Sequence, residues 1–291
     1  MSKTLHRIFI IILILIGTAT FFYFGMYGYN YYTTSNEERF FNGLHKLLKP
    51  SGLIGHGLGI IGSLMMIIGV SAYMIRKRIR KFVRIGFLKH WLEMHIFLCS
   101  VGPILVLYHT AFKFGGIVAV SFWSMVAVVL SGVIGRFIYI QIPRTIQGQE
   151  YSLDELKSLD KDYSDRLKTE FGLDDSLIVK LEYFNKIQIH KRTNFISIGW
   201  LIFKDYFINK KLLRKYKKEL ISKKIESNKV KAIIKLCNSK LVLLRRISLL
   251  HSVHIIFKYW HIIHLPFAIV MLIIMLVHVT VAITFGYTWI F

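Results

Sequence analysis

Two stretches decide the fold: HWLEMHIFLCSVGPILVLYH at residues 90–109 and WHIIHLPFAIVMLIIMLVH at residues 260–278. Each is an apolar run with a histidine near its start and another at its end, His95 with His109 and His264 with His278. A step of fourteen residues returns to within about 40° of the starting helix face and advances about 21 Å. Each pair therefore lies on one stripe of its helix, at two depths.

Three further runs flank these two. Apolar segments at roughly 8–28, 53–75, 91–112, 117–140 and 259–285 are each long enough to cross a bilayer. With 54% hydrophobic residues in 291 and a mean hydropathy of +0.49, the chain reads as a polytopic all-α membrane protein. Lys3 and Arg7 before the first run resemble a signal peptide, but apolar and aromatic residues continue to Tyr27 with no small-x-small cleavage site, so it is read as a retained span.

The net charge of +23 is concentrated in few segments. Arg76 to Lys89 holds seven basic residues and no acid, which places that loop in the cytoplasm. The N-terminus then lies inside, residues 29–52 outside, 141–258 inside and the C-terminus outside. This divides the chain into 1–52, a first helix and outer segment; 53–140, three helices; 141–258, a cytoplasmic insertion; and 259–291, the last helix. Within the insertion, Glu150 to Glu182 has ten acids against five bases, and Lys186 to Arg246 eighteen bases against three acids. Ser152 followed by Glu155 is a capping-box signature, and the apolar and Lys alternation over 208–250 reads as amphipathic helix on anionic headgroups or as a dock for an acidic redox protein. A nucleic-acid partner is the weaker reading of that charge. Two cysteines, Cys99 and Cys237, exclude a disulfide framework and a Cys-ligated cluster.

With both histidine helices running from inside to outside, His95 and His264 share the inner level and His109 and His278 the outer one. Neutral imidazoles at equal height are suitable axial ligands for one haem iron per level, and the absence of Cys-x-x-Cys-His makes both haems non-covalent, b-type groups. The alternatives are a divalent-metal transporter using the same histidines and a non-redox scaffold of a larger complex. The first predicts histidines clustered at one depth with carboxylates; the second leaves all four unexplained. His90 and His261 lie at the inner boundary, facing propionates or a third haem; His56 is set toward the outer haem or a quinone. Arg136 is expected to pair with an inner propionate, Glu93 to partner it or carry protons, and His251 and His254 to lie on the surface. Gly55 and Gly69, again fourteen apart, are candidate points of close haem approach, against ordinary small-residue helix packing.

The paired His-x13-His helices resemble the four-helix core of cytochrome b from quinol–cytochrome c oxidoreductases, and ferric reductase and NADPH oxidase membrane domains share this spacing or one residue less. LEMHIFLCSVGPILVLYHTAFKFGG (92–116), GVIGRFIYIQIPR (132–144) and YWHIIHLPFA (259–268) are most similar to bacterial cytochrome b subunits of ferric-reductase-like type. The resemblance covers about 50–145 and 255–285. It implies a four-helix haem-binding bundle with one extra N-terminal transmembrane helix, two haem b, and residence in a bacterial cytoplasmic membrane as part of an oligomeric complex. No Gly-x-Gly-x-x-Gly occurs. Electrons are therefore expected from a separate cytoplasmic iron–sulfur protein or flavoprotein, or from the quinone pool, and to leave toward an outward-facing acceptor such as a c-type cytochrome.

Overall fold

The computed structural model describes residues 3–82, 85–144, 150–173, 195–222 and 225–286. They are helical, with no strand among them beyond an isolated bridge between Arg144 and Glu150. Five helices are long and apolar enough to cross a membrane, so the chain is a multi-pass membrane protein. These are α1 (Lys3–Tyr27), α4 (Leu53–Arg78), α5 (Leu88–His109), α6 (Gly116–Gln141) and the last helix, α9. Two short helices, α2 (Tyr29–Thr33) and α3 (His45–Leu48), occupy the connection between α1 and α4; α7 (Leu153–Thr169) and α8 (Phe195–Ser222) precede α9 (Ser227–Thr284).

The last helix departs from expectation. Instead of a separate span at 259–285, one helix of 58 residues runs from Ser227 to Thr284, about 87 Å at 1.5 Å per residue. No glycine occurs between these ends, and Pro266 is accommodated within the helix. The second half is apolar and the first half basic, so the change of solvent falls inside a continuous element.

The chain divides into two compact units, Met1–Ile134 with His261–Phe291, and Gly135–Trp260. In the first, α4 and α5 pack side by side along their length. Glycines allow it: a Cβ on Gly62 would stand 2.7 Å from Gly102 O, and one on Gly69 would stand 2.9 Å from the Leu98 side chain. Leu58, Val101, Leu105 and Tyr108 are buried along this seam, and Tyr108 donates a 2.7 Å hydrogen bond to Phe21 O of α1. Elsewhere α1 exposes Ile8, Ile11, Ile12, Leu15 and Phe22, a surface that lipid satisfies and water does not. Further along, Met66, Phe122, Met125 and Met275 bring α4, α6 and α9 together, and Ser121 Oγ donates to Met271 O at 3.1 Å.

Buried arginines close the ends of this unit. Arg39, 6% exposed, donates to Thr34 O, Tyr32 O and Ala111 O and lies over the Tyr31 ring. It tethers residues 32–34 to the turn after α5, where Ala111 and Phe112 adopt positive φ. Arg76 belongs to the basic loop but is not solvated; its Nε and Nη2 each donate at 2.8 Å, to Ile85 O and Gly86 O.

In the second unit, Leu167, Tyr216, Leu220, Val230, Ile233, Cys237 and Leu241 form a core shared by α7, α8 and α9. Ser152 caps α7 in a complete capping box with Glu155. Lys240, fully buried, is pinned by Asp160 Oδ1 and Ser164 Oγ, each 2.7 Å from its Nζ. Residues 174–194, which hold Asp174, Asp175, Glu182 and the start of the basic run, lie outside the described residues.

Candidate functional site

On α5, His95 and His109 both turn their Nδ1 toward α4. His95 Nδ1 lies 3.1 Å from Gly69 O, and His109 Nδ1 lies 2.8 Å from Gly55 O. Fourteen residues separate the histidines on one helix and fourteen separate the glycines on the other, antiparallel to them in sequence order. A helical carbonyl retains a second lone pair after its own backbone bond, and glycine leaves that oxygen uncovered by a side chain of its own. The matched spacings thus give two equivalent anchors.

At the His109 anchor the room for the ring comes from Gly59. A Cβ there would meet His109 Nδ1 at 2.7 Å and its Cγ at 2.8 Å. Gly55 and Gly69, expected to admit a macrocycle, face protein: a Cβ on Gly55 would run into Lys49 O, and one on Gly69 would stand 2.9 Å from Leu98 Cβ. What they contribute to the histidines is the carbonyl oxygen.

His264 on α9 follows the same rule through a different partner. Its Nδ1 lies 2.6 Å from Ser131 Oγ of α6, and it sits within electrostatic reach of His95 and His261. At the other level, the His109 and His278 ring centres are 6.4 Å apart at an interplanar angle of 60°. His56 joins them, its ring perpendicular to His109 at 6.4 Å. The structure therefore groups His109, His278 and His56 at one level, and sets His264 within electrostatic reach of His95 at the other. A hydrogen bond held at Nδ1 assigns coordination to Nε2 in His95 and His109.

The helices bearing these rings stay apart. Backbones of α4 and α5 run close together, whereas α5 and α9 have almost no close backbone approach. Side chains rather than backbones bridge them, with Val106 and Leu107 of α5 packed on the cluster that holds Met275 of α9. A donor set of imidazoles suits haem iron better than a hard cation.

Other expected residues are placed differently. Glu93, 6% exposed, is engaged by His90 Nδ1 at 3.1 Å, His6 Nε2 at 3.3 Å and Lys89 Nζ at 3.7 Å. Its partners are thus histidines and a lysine in place of the expected Arg136. Arg136, in the second unit, holds its guanidinium 5.7 Å from the Tyr139 ring centre. His251 is exposed and His254 reaches Glu150 Oε2 at 3.4 Å. Sequence reading missed His6 and Ser131, and picked out Gly59 only as one of six glycines in and beside a single span, with Gly52, Gly55, Gly57, Gly62 and Gly69. No family model, curated protein or solved structure matches the chain.

Proposed function

We propose that the protein is a di-haem b-type cytochrome relaying electrons across a membrane, with His95 and His264 as axial ligands at the inner level and His109 and His278 at the outer. One observation carries this reading: the His109 and His278 rings lie 6.4 Å apart while His109 Nδ1 is turned away onto Gly55 O. Two imidazoles gripping one metal from opposite sides, at about 2.0 Å per bond, put their ring centres about 6 Å apart. Anchoring Nδ1 on a carbonyl fixes the tautomer and raises the basicity of the coordinating nitrogen.

Bound haem would supply reversible one-electron chemistry at each level. The residues of the chain orient and insulate. Gly69 O, Ser131 Oγ and Gly55 O set the ring directions, and Met66, Phe122, Met125 and Met275 form an apolar packing layer in the same unit. In this reading α4, α5, α6 and the apolar half of α9 make the four-helix bundle and α1 stands outside it. Arg136 remains the proposed propionate partner. The basic loop and the insertion face the cytoplasm of a bacterial cell, where a reduced iron–sulfur protein, a flavoprotein or the quinone pool is the donor, and an outward-facing c-type cytochrome is the acceptor.

The test is a pyridine haemochrome assay on the full chain purified from haem-supplied cells. Two haem b per chain are expected, falling to one in His278→Ala and in His264→Ala, with a low-spin bis-imidazole spectrum for the haem that remains. A chain that purifies without haem, yet drives divalent-metal uptake in proteoliposomes, overturns the reading in favour of a transporter.

A further inference from the structure

A second cluster of donor atoms lies outside the four histidines. His6 at the start of α1 and His90 and Glu93 in the first turns of α5 bring one nitrogen each and a carboxylate oxygen within 4.8 Å of one another. The two contacts to the carboxylate are 3.3 Å from His6 Nε2 to Oε1 and 3.1 Å from His90 Nδ1 to Oε2. The imidazole centres are 5.2 Å apart and inclined at 56°. Tetrahedral ligands at about 2.0 to 2.1 Å from zinc stand about 3.4 Å from each other, so donors that all lie within 4.8 Å of one another need only a small contraction to close on an ion. We propose that His6, His90 and Glu93 form a site for a divalent transition-metal ion of the zinc type, joining α1 to α5.

The chemistry of the set favours this class. Two imidazoles and one carboxylate suit zinc and its first-row neighbours, whereas magnesium and calcium prefer oxygen donors. Three protein ligands leave a fourth position for water. The Glu93 carboxylate is 5% exposed, and a buried anion needs a compensating positive charge. His6 Nδ1 is buried with no hydrogen-bond partner among the described residues.

Lys89 now supplies part of that charge. Its Nζ lies 3.0 Å from His6 Nε2 and 3.7 Å from Glu93 Oε1, on a side chain 54% exposed. A lysine head on a flexible, solvated stem can leave the cluster without disturbing the backbone. The ammonium and the metal ion compete for the same nitrogen and the same carboxylate. Removing Lys89 therefore strengthens metal binding, which is the opposite of what its loss does to a simple salt-bridge network.

The test is a competition titration of zinc against a chromogenic chelator, on the full chain in detergent with its haem content measured in parallel. Wild type is expected to take up one zinc equivalent. Glu93→Gln and His90→Ala should each weaken that uptake by about tenfold or more, Lys89→Ala should tighten it, and His109→Ala should leave it unchanged while altering haem content. The proposal is overturned if wild type takes up no zinc, if Glu93→Gln retains wild-type affinity, or if Lys89→Ala binds no more tightly. Because Lys89→Ala keeps all three ligands, its result stands even where a ligand variant fails to fold. The haem reading can fail with the zinc site intact, and the reverse.

Discussion

Gly62 and Gly102 face each other across the seam of α4 and α5 so closely that a Cβ added to either would stand 2.7 Å from the other's carbonyl oxygen. This reciprocity sets the distance between the two helices, and with it the reach of His95 and His109 to their carbonyl anchors. Backbone cannot yield as a flexible side chain does, so Gly102→Ala has to separate the helices. An overpacked contact of this kind costs about 1–3 kcal/mol. Thermal unfolding in detergent should show Gly102→Ala well below wild type, and Gly132→Ala, where an added Cβ meets nothing within 4 Å, close to it.

Gly59 provides a more local probe. Its added Cβ would meet the His109 ring itself, at 2.7 to 2.9 Å over Nδ1, Cγ and Cε1, and to give way that ring has to strain or break its bond to Gly55 O. Gly59→Ala is expected to displace His109 and leave His95 on Gly69 O. If the outer histidines hold a metal, the variant loses that level selectively; one haem remaining of two, with the inner spectrum unaltered, is the expected result. Loss of both haems together, or of neither, would show that Gly59 does not control the outer ring.

The contrast between these glycines shows how far sequence carries. Run length and charge were enough to find α1, α4, α5 and α6, because twenty apolar residues have few alternatives to a bilayer. The fourteen-residue spacing of His95 and His109 placed both on one face of α5. The same spacing at Gly55 and Gly69 was legible, but its use was not, since a carbonyl oxygen is present at every residue and only the packing of α4 on α5 selects two of them. His6 lies 87 positions before Glu93 in the chain, and no local pattern joins them. The length of α9 was hidden for another reason: the hydropathy changes near residue 259 while the backbone does not.

Arg39 shows the same limit in a segment that reads as an outer loop. Its guanidinium is buried against Tyr31 and donates to three carbonyls, including Ala111 O in the turn where two non-glycine residues hold positive φ. Burial pushes the Tyr32 hydroxyl well above its ordinary pKa, with neighbouring Tyr108 and Tyr31 adding to the shift and Arg39 opposing it. Arg39→Ala strands three acceptors, Ala111 O buried and Thr34 O and Tyr32 O partly buried, and a single stranded buried group typically costs about 1–3 kcal/mol. Arg39→Lys cannot reach all three with one ammonium. Both variants should lose amide-exchange protection across residues 28–34 and 107–113, with lysine recovering a minor part; unchanged protection in Arg39→Ala would show that the turn holds itself.

The capping box of α7 makes a pH-dependent prediction in the second unit. Ser152 N–H donates to Glu155 Oε2 at 2.7 Å and Glu155 N–H donates to Ser152 Oγ at 3.2 Å. The hydrogen bond from the Ser152 backbone, and then that from its side chain, hold the Glu155 carboxyl below its ordinary value of 4.5. A carboxyl with a lowered folded-state pKa stabilises the helix fully above its unfolded value, and that contribution disappears as pH falls through the lowered one. Amide exchange of the first turn of α7 should therefore accelerate below about pH 4.5. Ser152→Ala removes the side-chain acceptor and should raise exchange there by roughly fivefold near neutral pH, the usual worth of an N-cap side chain. Glu155→Gln keeps a hydrogen-bonding group but abolishes the charge, so it should flatten the acid limb while leaving the helix in place. An acid limb that survives in Glu155→Gln would assign the dependence to another carboxylate of the acidic stretch.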